Sequence, residues 1–143
     1  MISVTAATEV LLVVDASVMV GAFVRDAATP LAEAVVAGRA ECAAPDLIVV
    51  EVAAAIAKRF RRRELALADA EAALGNLDSM PVVLHPHAPL LREATRLSLA
   101  HRHGLQDCLY LALARRLNCR LATADLPLAA LADRLGTATW TSP

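Results

Sequence analysis

The aliphatic run Val10-Leu11-Leu12-Val13-Val14 passes without a break into Asp15-Ala16-Ser17. A continuous, Val-rich run of strand length suits a strand buried on both faces, and such strands belong to parallel sheets covered by helices. Few other folds accept it. In open α/β sheets ligands bind in the crevice beyond the carboxyl ends of the strands, so Asp15 is the first candidate for chemistry. A second reading stays open, because Asp15 or Ser17 is equally suited to cap the helix that follows.

The chain of 143 residues fits one domain spanning 1–143. It is 57% hydrophobic and 3% aromatic, which favours helices packed on a sheet over an aromatic-rich sandwich. The net charge of −1 denies it the global basic field of a protein that coats nucleic acid, so any such contact is local. Three cysteines, Cys42, Cys108 and Cys119, are odd in number and form no C-x-x-C pair, which argues against a disulfide framework or zinc ribbon. Glu9 and Asp15 interrupt the apolar N-terminal stretch, unlike a signal peptide. No uncharged run approaches the ~20 residues that span a bilayer. The expectation is a cytoplasmic protein with no membrane contact.

Beyond Asp15 the pattern predicts a helix over 17–25 and another opened by Thr29 as N-cap and Pro30, with Gly38 past its end. A short strand over 40–44, closed by Pro45, precedes a long helix over 46–63 with Asp46 as a possible cap. Helix 65–78, a short buried strand over 81–84 and a helix over 88–100 follow. Gly104 leads into a segment that is apolar on all sides from Cys108 to Ala114, the mark of a helix buried in the core. A strand over 119–123 runs into Asp125, repeating the opening pattern, and a helix over 127–134 and a strand over 137–140 close the chain. Strands alternating with helices argue α/β with a mainly parallel sheet of four to five strands.

Four acids stand out on this layout. Asp15 and Asp125 end strands at the same sheet edge. Asp107 opens the buried helix, where the dipole and free N–H groups favour an anion. Glu51 shares an otherwise apolar helix face with Leu47 and Ala55, and Glu is seldom buried without a partner. Capping or a wet helix border explains each acid singly, but four converging by independent routes are harder to explain so. The run Lys58-Arg59-Phe60-Arg61-Arg62-Arg63 suits a solvated helix C-terminus. Arg59, Arg61, Arg62 and Arg63 are also candidates for phosphate contact. Two H-x-H pairs, His85/His87 and His101/His103, sit in loops without a cysteine and read as solvated rather than as a zinc site.

Taken together, Val13-Val14-Asp15-Ala16-Ser17-Val18, Ala44-Pro45-Asp46-Leu47 leading to Glu51-Val52-Ala53, Asp107-Cys108-Leu109-Tyr110-Leu111-Ala112-Leu113-Ala114 and Leu121-Ala122-Thr123-Ala124-Asp125 resemble the PIN-domain ribonucleases, and specifically the VapC toxins of type II toxin–antitoxin pairs. Order and approximate spacing agree over nearly the whole chain. Gln106 departs from the family, which often has an aromatic just before this acid. The resemblance implies a metal-dependent endoribonuclease in which Asp15, Glu51, Asp107 and Asp125 hold one or two Mg²⁺ or Mn²⁺ ions, leaving a 5′ phosphate and a 3′ hydroxyl. Ser17 and Thr123 are accessory candidates that orient water or a carboxylate. It further implies an RNA substrate, a homodimer and a VapB-like antitoxin docked in an apolar groove between the first helices. The alternative is a catalytically inactive PIN-fold module that binds RNA or protein. A phosphoacceptor receiver domain also gathers acids at strand ends, but it needs a lysine near the last strand, and the single lysine here is Lys58.

Overall fold

The computed structural model describes residues 11–38 and 40–143. Strand β1 (Leu11–Val14) holds its place through burial on both sides, with Leu12, Val13 and Val14 no more than 1% exposed. Glu9 and Val10, which the sequence reading also used, lie outside the described residues. Strands β2 (Glu41–Pro45), β3 (Val83–His85), β4 (Arg120–Ala122) and β5 (Thr139–Trp140) complete a sheet of order β3-β2-β1-β4-β5. Every neighbouring pair is parallel. β1 lies at the centre, with Val13 opposite Ala43 on one side and Leu121 on the other.

Seven helices cover the sheet: α1 (Ala16–Phe23), α2 (Thr29–Ala37), α3 (Ile48–Arg61), α4 (Leu67–Gly75), α5 (Leu91–His101), α6 (Leu105–Leu117) and α7 (Leu126–Arg134). Short 3-10 turns at Leu77–Ser79 and Ala88–Leu90 follow α4 and precede α5. Right-handed crossovers assign α1–α4 to one face of the sheet and α5 and α6 to the other. α6 is the core helix that the sequence predicts, with every residue from Cys108 to Ala114 buried. No described helix is long and apolar enough to cross a membrane.

Three local expectations need correction. β3 is not buried: Val83 and Leu84 are 47% and 45% exposed, because β3 is an edge strand paired on one side only. Thr29 is the first residue of α2 and does not cap it; its hydroxyl donates to the Gly21 carbonyl at 2.8 Å and accepts from the Asp26 N–H at 2.8 Å. This clasp ties α1 to α2, and Gly21 makes it possible. A Cβ at position 21 would come within 2.9 Å of backbone atoms of Ala28 and Thr29. Asp46 caps nothing in α3, whose boundary residue is Leu47. Its carboxylate instead accepts the His87 N–H at 3.1 Å and meets the His87 ring at 2.6 Å, fastening the start of α3 to the loop after β3. His87 is therefore not merely solvated.

Candidate active site

The carboxyl ends of β1 and β4 are adjacent, with Val14 paired to Ala122 and the Asp15 N–H extending the ladder to the Ala122 carbonyl at 3.1 Å. Asp15 is 4% exposed. It is also the N-cap of α1, accepting from the Val18 N–H at 3.2 Å, as the capping reading expects. Its two oxygens are divided between two hydroxyls. Ser17 Oγ donates to Oδ1 at 2.6 Å and Thr123 Oγ1 donates to Oδ2. These hydroxyls accept in turn from the Ala124 and Asp125 N–H groups at 3.0 and 2.9 Å, which ties the cradle to the β4–α7 turn. The accessory residues thus act on Asp15 directly, and Ser17 is no helix cap.

Glu51 lies in the first turn of α3 and is partly buried. Tyr110, in the second turn of α6 and 1% exposed, donates its hydroxyl to Glu51 Oε1 at 3.0 Å. Asp107, in the first turn of α6, has Oδ2 at 2.9 Å from His103 Nε2. His103 is anchored by the end of α5, where the Ser98 hydroxyl donates to its carbonyl at 2.6 Å after Arg102 has turned the chain in the left-handed region. Asp125 stands apart in its partners: it is the N-cap of α7, and its carboxylate accepts from the Leu128 N–H at 3.1 Å. Gln106 is exposed beside Asp107.

The charges of this group act on one another. Burial pushes the Asp15 carboxyl up to about 6, against the pull of its three hydrogen bonds, and Asp107 adds to the rise. Burial likewise raises Glu51, opposed by the Tyr110 bond and reinforced by Asp107 and Asp15. Burial, then the Glu51 charge, drives the Tyr110 phenol far above its usual range, so it remains a donor. Cys108, fully buried behind Asp107, is pushed up to about 11 by burial, which leaves an inert thiol as expected of a small core residue. Asp15, Glu51 and Asp107 are thus within electrostatic reach of one another. Unit charges about 4 Å apart would repel by roughly 4 kcal/mol at an effective dielectric of 20.

The donors fit a hard divalent cation in chemistry, since all are carboxylate oxygens. Among the described residues no three His, Cys, Asp or Glu side chains already close around one point. The acids gather at one edge, yet each is engaged by a hydrogen-bonding neighbour. Tyr110 and His103 are the partners that sequence reasoning missed. Tyr110 was visible there only as the one polar tip in a Leu/Ala core run. His103 sits at i, i+4 to Asp107, a spacing that signals contact on a helix, but it lies just outside α6.

A groove of about 800 Å³ opens beside this group, lined in part by Ser17, Val20, Leu31, Glu51, Ala55 and Arg59. It runs between α1, the start of α2 and α3, the place where an apolar groove was expected. Arg59, two turns beyond Glu51, lies in it with Nη2 at 2.5 Å from Asp26 Oδ2. Arg61, Arg62 and Arg63 are exposed at the far end of α3, and Arg61 and Arg63 border a separate concavity with Phe60. The basic run is therefore split, with only Arg59 beside the acids.

A five-stranded parallel sheet with acids at the carboxyl ends of β1 and its neighbour β4 defines the class. The chain belongs to the PIN-domain family, whose model matches residues 12–134. It is 33% identical over 120 residues to Ribonuclease VapC3 of Pyrobaculum aerophilum, covering 82% of this chain and 92% of that protein. Its fold is similar to the crystal structure of PAE2754 from the same organism, with a TM-score of 0.64 and 22% identity over 92% of this chain and 91% of that one. It is also similar to VapBC2 from Rickettsia felis bound to a DNA fragment from their promoter, with a TM-score of 0.61 and 13% identity over 91% and 97% of the two chains.

Proposed function

We propose that this chain is a metal-dependent endoribonuclease, the toxin of a type II toxin–antitoxin pair. The observation that carries the reading is the placement of Asp15, Glu51 and Asp107 at one sheet edge, at the end of β1 and in the first turns of α3 and α6, beside an open groove. Family membership and the likeness to Ribonuclease VapC3 support it. Asp15, Glu51 and Asp107 would hold Mg²⁺ or Mn²⁺, and Asp125 would add the oxygen that its cap bond leaves over. When bound, the cation supplies an activated water and a counter-charge for the scissile phosphate.

The remaining work falls to the chain itself. Ser17 and Thr123 hold the Asp15 carboxylate in one orientation, so the ligand needs little reorganisation. Arg59 carries a cation in the groove for an RNA phosphate, in exchange for its pairing with Asp26. Arg61, Arg62 and Arg63, exposed at the far end of α3, would contact phosphates of a longer RNA outside the groove. Ala16, Val20, Leu31 and Ala55 make the groove apolar enough to seat a helix or extended segment of a VapB-like antitoxin, whose arginine would meet the carboxylates. A second copy of the chain, in a cytoplasmic homodimer, completes the reading, and light scattering of the purified protein tests it.

The deciding experiment incubates the antitoxin-free protein with total bacterial RNA plus Mg²⁺, Mn²⁺ or EDTA, alongside Asp107→Asn, and sequences the new ends. Discrete, metal-dependent cuts that vanish in Asp107→Asn, with 5′ phosphates and 3′ hydroxyls, are expected. No cutting by folded, metal-bound protein would turn the reading to the inactive RNA- or protein-binding module.

A further inference from the structure

The Cys108–Ala114 run of α6 is a solid core of Leu, Ala and Cys with a single hydroxyl in it, that of Tyr110. For packing alone a phenylalanine would serve as well, and a buried hydroxyl is tolerated only where it finds a partner. Its partner lies 59 residues away on another helix, and it is a carboxylate. The bond crosses the carboxyl edge of the sheet from the α6 side to the α3 side. Glu51 is the acid most in need of such a tie. Asp15 is clamped at short range by two hydroxyls and a backbone N–H. Glu51 has a longer, three-torsion side chain and starts from a helix that borders an open groove.

Resting on the nuclease reading above, we infer that Tyr110 is a positioning residue of the site, holding Glu51 through Oε1 so that its other oxygen is presented to the cation. Tyr110 does not touch the substrate. Its hydroxyl selects one rotamer of Glu51 out of several, and partners of this kind are worth 10–100-fold in metal affinity.

The test is a cycle of wild type, Tyr110→Phe, Glu51→Ala and the double variant, each titrated with Mn²⁺ by calorimetry without RNA and then assayed for cleavage. Tyr110→Phe is expected to keep the fold and weaken Mn²⁺ about tenfold. Its kcat is expected to fall while KM for RNA stays unchanged. In the Glu51→Ala background the same change should add nothing, because there is no longer an acceptor to hold. Mn²⁺ binding by Tyr110→Phe equal to wild type, or a further full loss in the double variant, would overturn the inference while leaving the nuclease reading intact. Failure of the wild type itself to bind Mn²⁺ would overturn both.

Should Tyr110→Phe not fold, proton NMR of the wild type replaces it. The buried hydroxyl should give a slowly exchanging resonance that moves on adding Mg²⁺ and is lost in Glu51→Ala. A resonance indifferent to both changes would refute the assignment.

Discussion

The same local device occurs twice, strand then acid then helix, and its two copies have different fates. Asp15 after β1 and Asp125 after β4 both cap the next helix with a carboxylate oxygen. Asp15, behind the central strand, is sealed in and receives two hydroxyls besides its cap bond. Asp125, one strand nearer the sheet margin, is only partly buried. Local sequence places an acid at a strand end; the number of neighbours around that end decides how deeply it is buried and how many bonds hold it. Thr123 joins the copies, donating to Asp15 and accepting from the Asp125 N–H.

The largest contrast should appear in catalysis. Asp15→Asn is expected to lower the cleavage rate by more than about 100-fold, beyond the 10–100-fold typical of residues that support a ligand. Asp125→Asn, which keeps a good cap residue, should cost roughly tenfold. Equal losses in single-turnover assays would erase the distinction. Next comes stability against pH. Asp15 binds its proton more tightly folded, at about 6 against an ordinary value of 3.8, so the native state holds the extra proton between those values. Its contribution is full below about pH 4 and is lost as pH rises through 6, by about 3 kcal/mol in all. Urea melts of metal-free protein should show that decline, Asp15→Asn should flatten it, and Asp125→Asn should leave it in place.

Above pH 6 the buried Asp15 is the acid whose removal relieves the metal-free protein. At pH 7, Mg²⁺ or Mn²⁺ at 100 times its Kd should restore about 2.7 kcal/mol, read as a rise in melting temperature. A smaller effect tests the scaffold behind the first copy. Gly21→Ala forces a methyl against the backbone of residues 28 and 29 and should cost about 1–3 kcal/mol in denaturant melts. The smallest expected effect sharpens the link between copies. Thr123→Val removes the shared hydroxyl while Thr123→Ser keeps it, and a rate loss of about tenfold in the first that is absent from the second would separate its orienting role from packing.

Much of this was legible in the sequence because it depends on period and burial. The Val-rich run specified β1, the all-round apolar segment specified α6, and both strand-ending acids fell on one edge as a parallel sheet requires. Where one residue decides between local and distant partners, the sequence was ambiguous. Thr29 and Asp46 have ordinary cap composition, yet Thr29 bonds to Gly21 eight residues earlier and Asp46 to His87, 41 residues on. The exposure of β3 depends on its rank in the sheet, and nothing in Pro81-Val82-Val83-Leu84 encodes rank. His103 and Tyr110 were hidden for the same reason: their meaning comes from the carboxylates that the fold delivers to them.

The bond between Thr123 and Asp15 spans 108 residues, and β1 pairs with β4 across a similar stretch of chain. Such distant closure comes late in folding, after local helices have formed. A chain still on the ribosome, with α6 made but β4 not yet released, has Asp15, Glu51, Asp107 and the Ser17 hydroxyl, but it lacks Thr123 and the strand that flanks β1 on its second side. On the nuclease reading proposed above, this order of events is protective. The set of partners around Asp15 is complete only once β4 has joined the sheet.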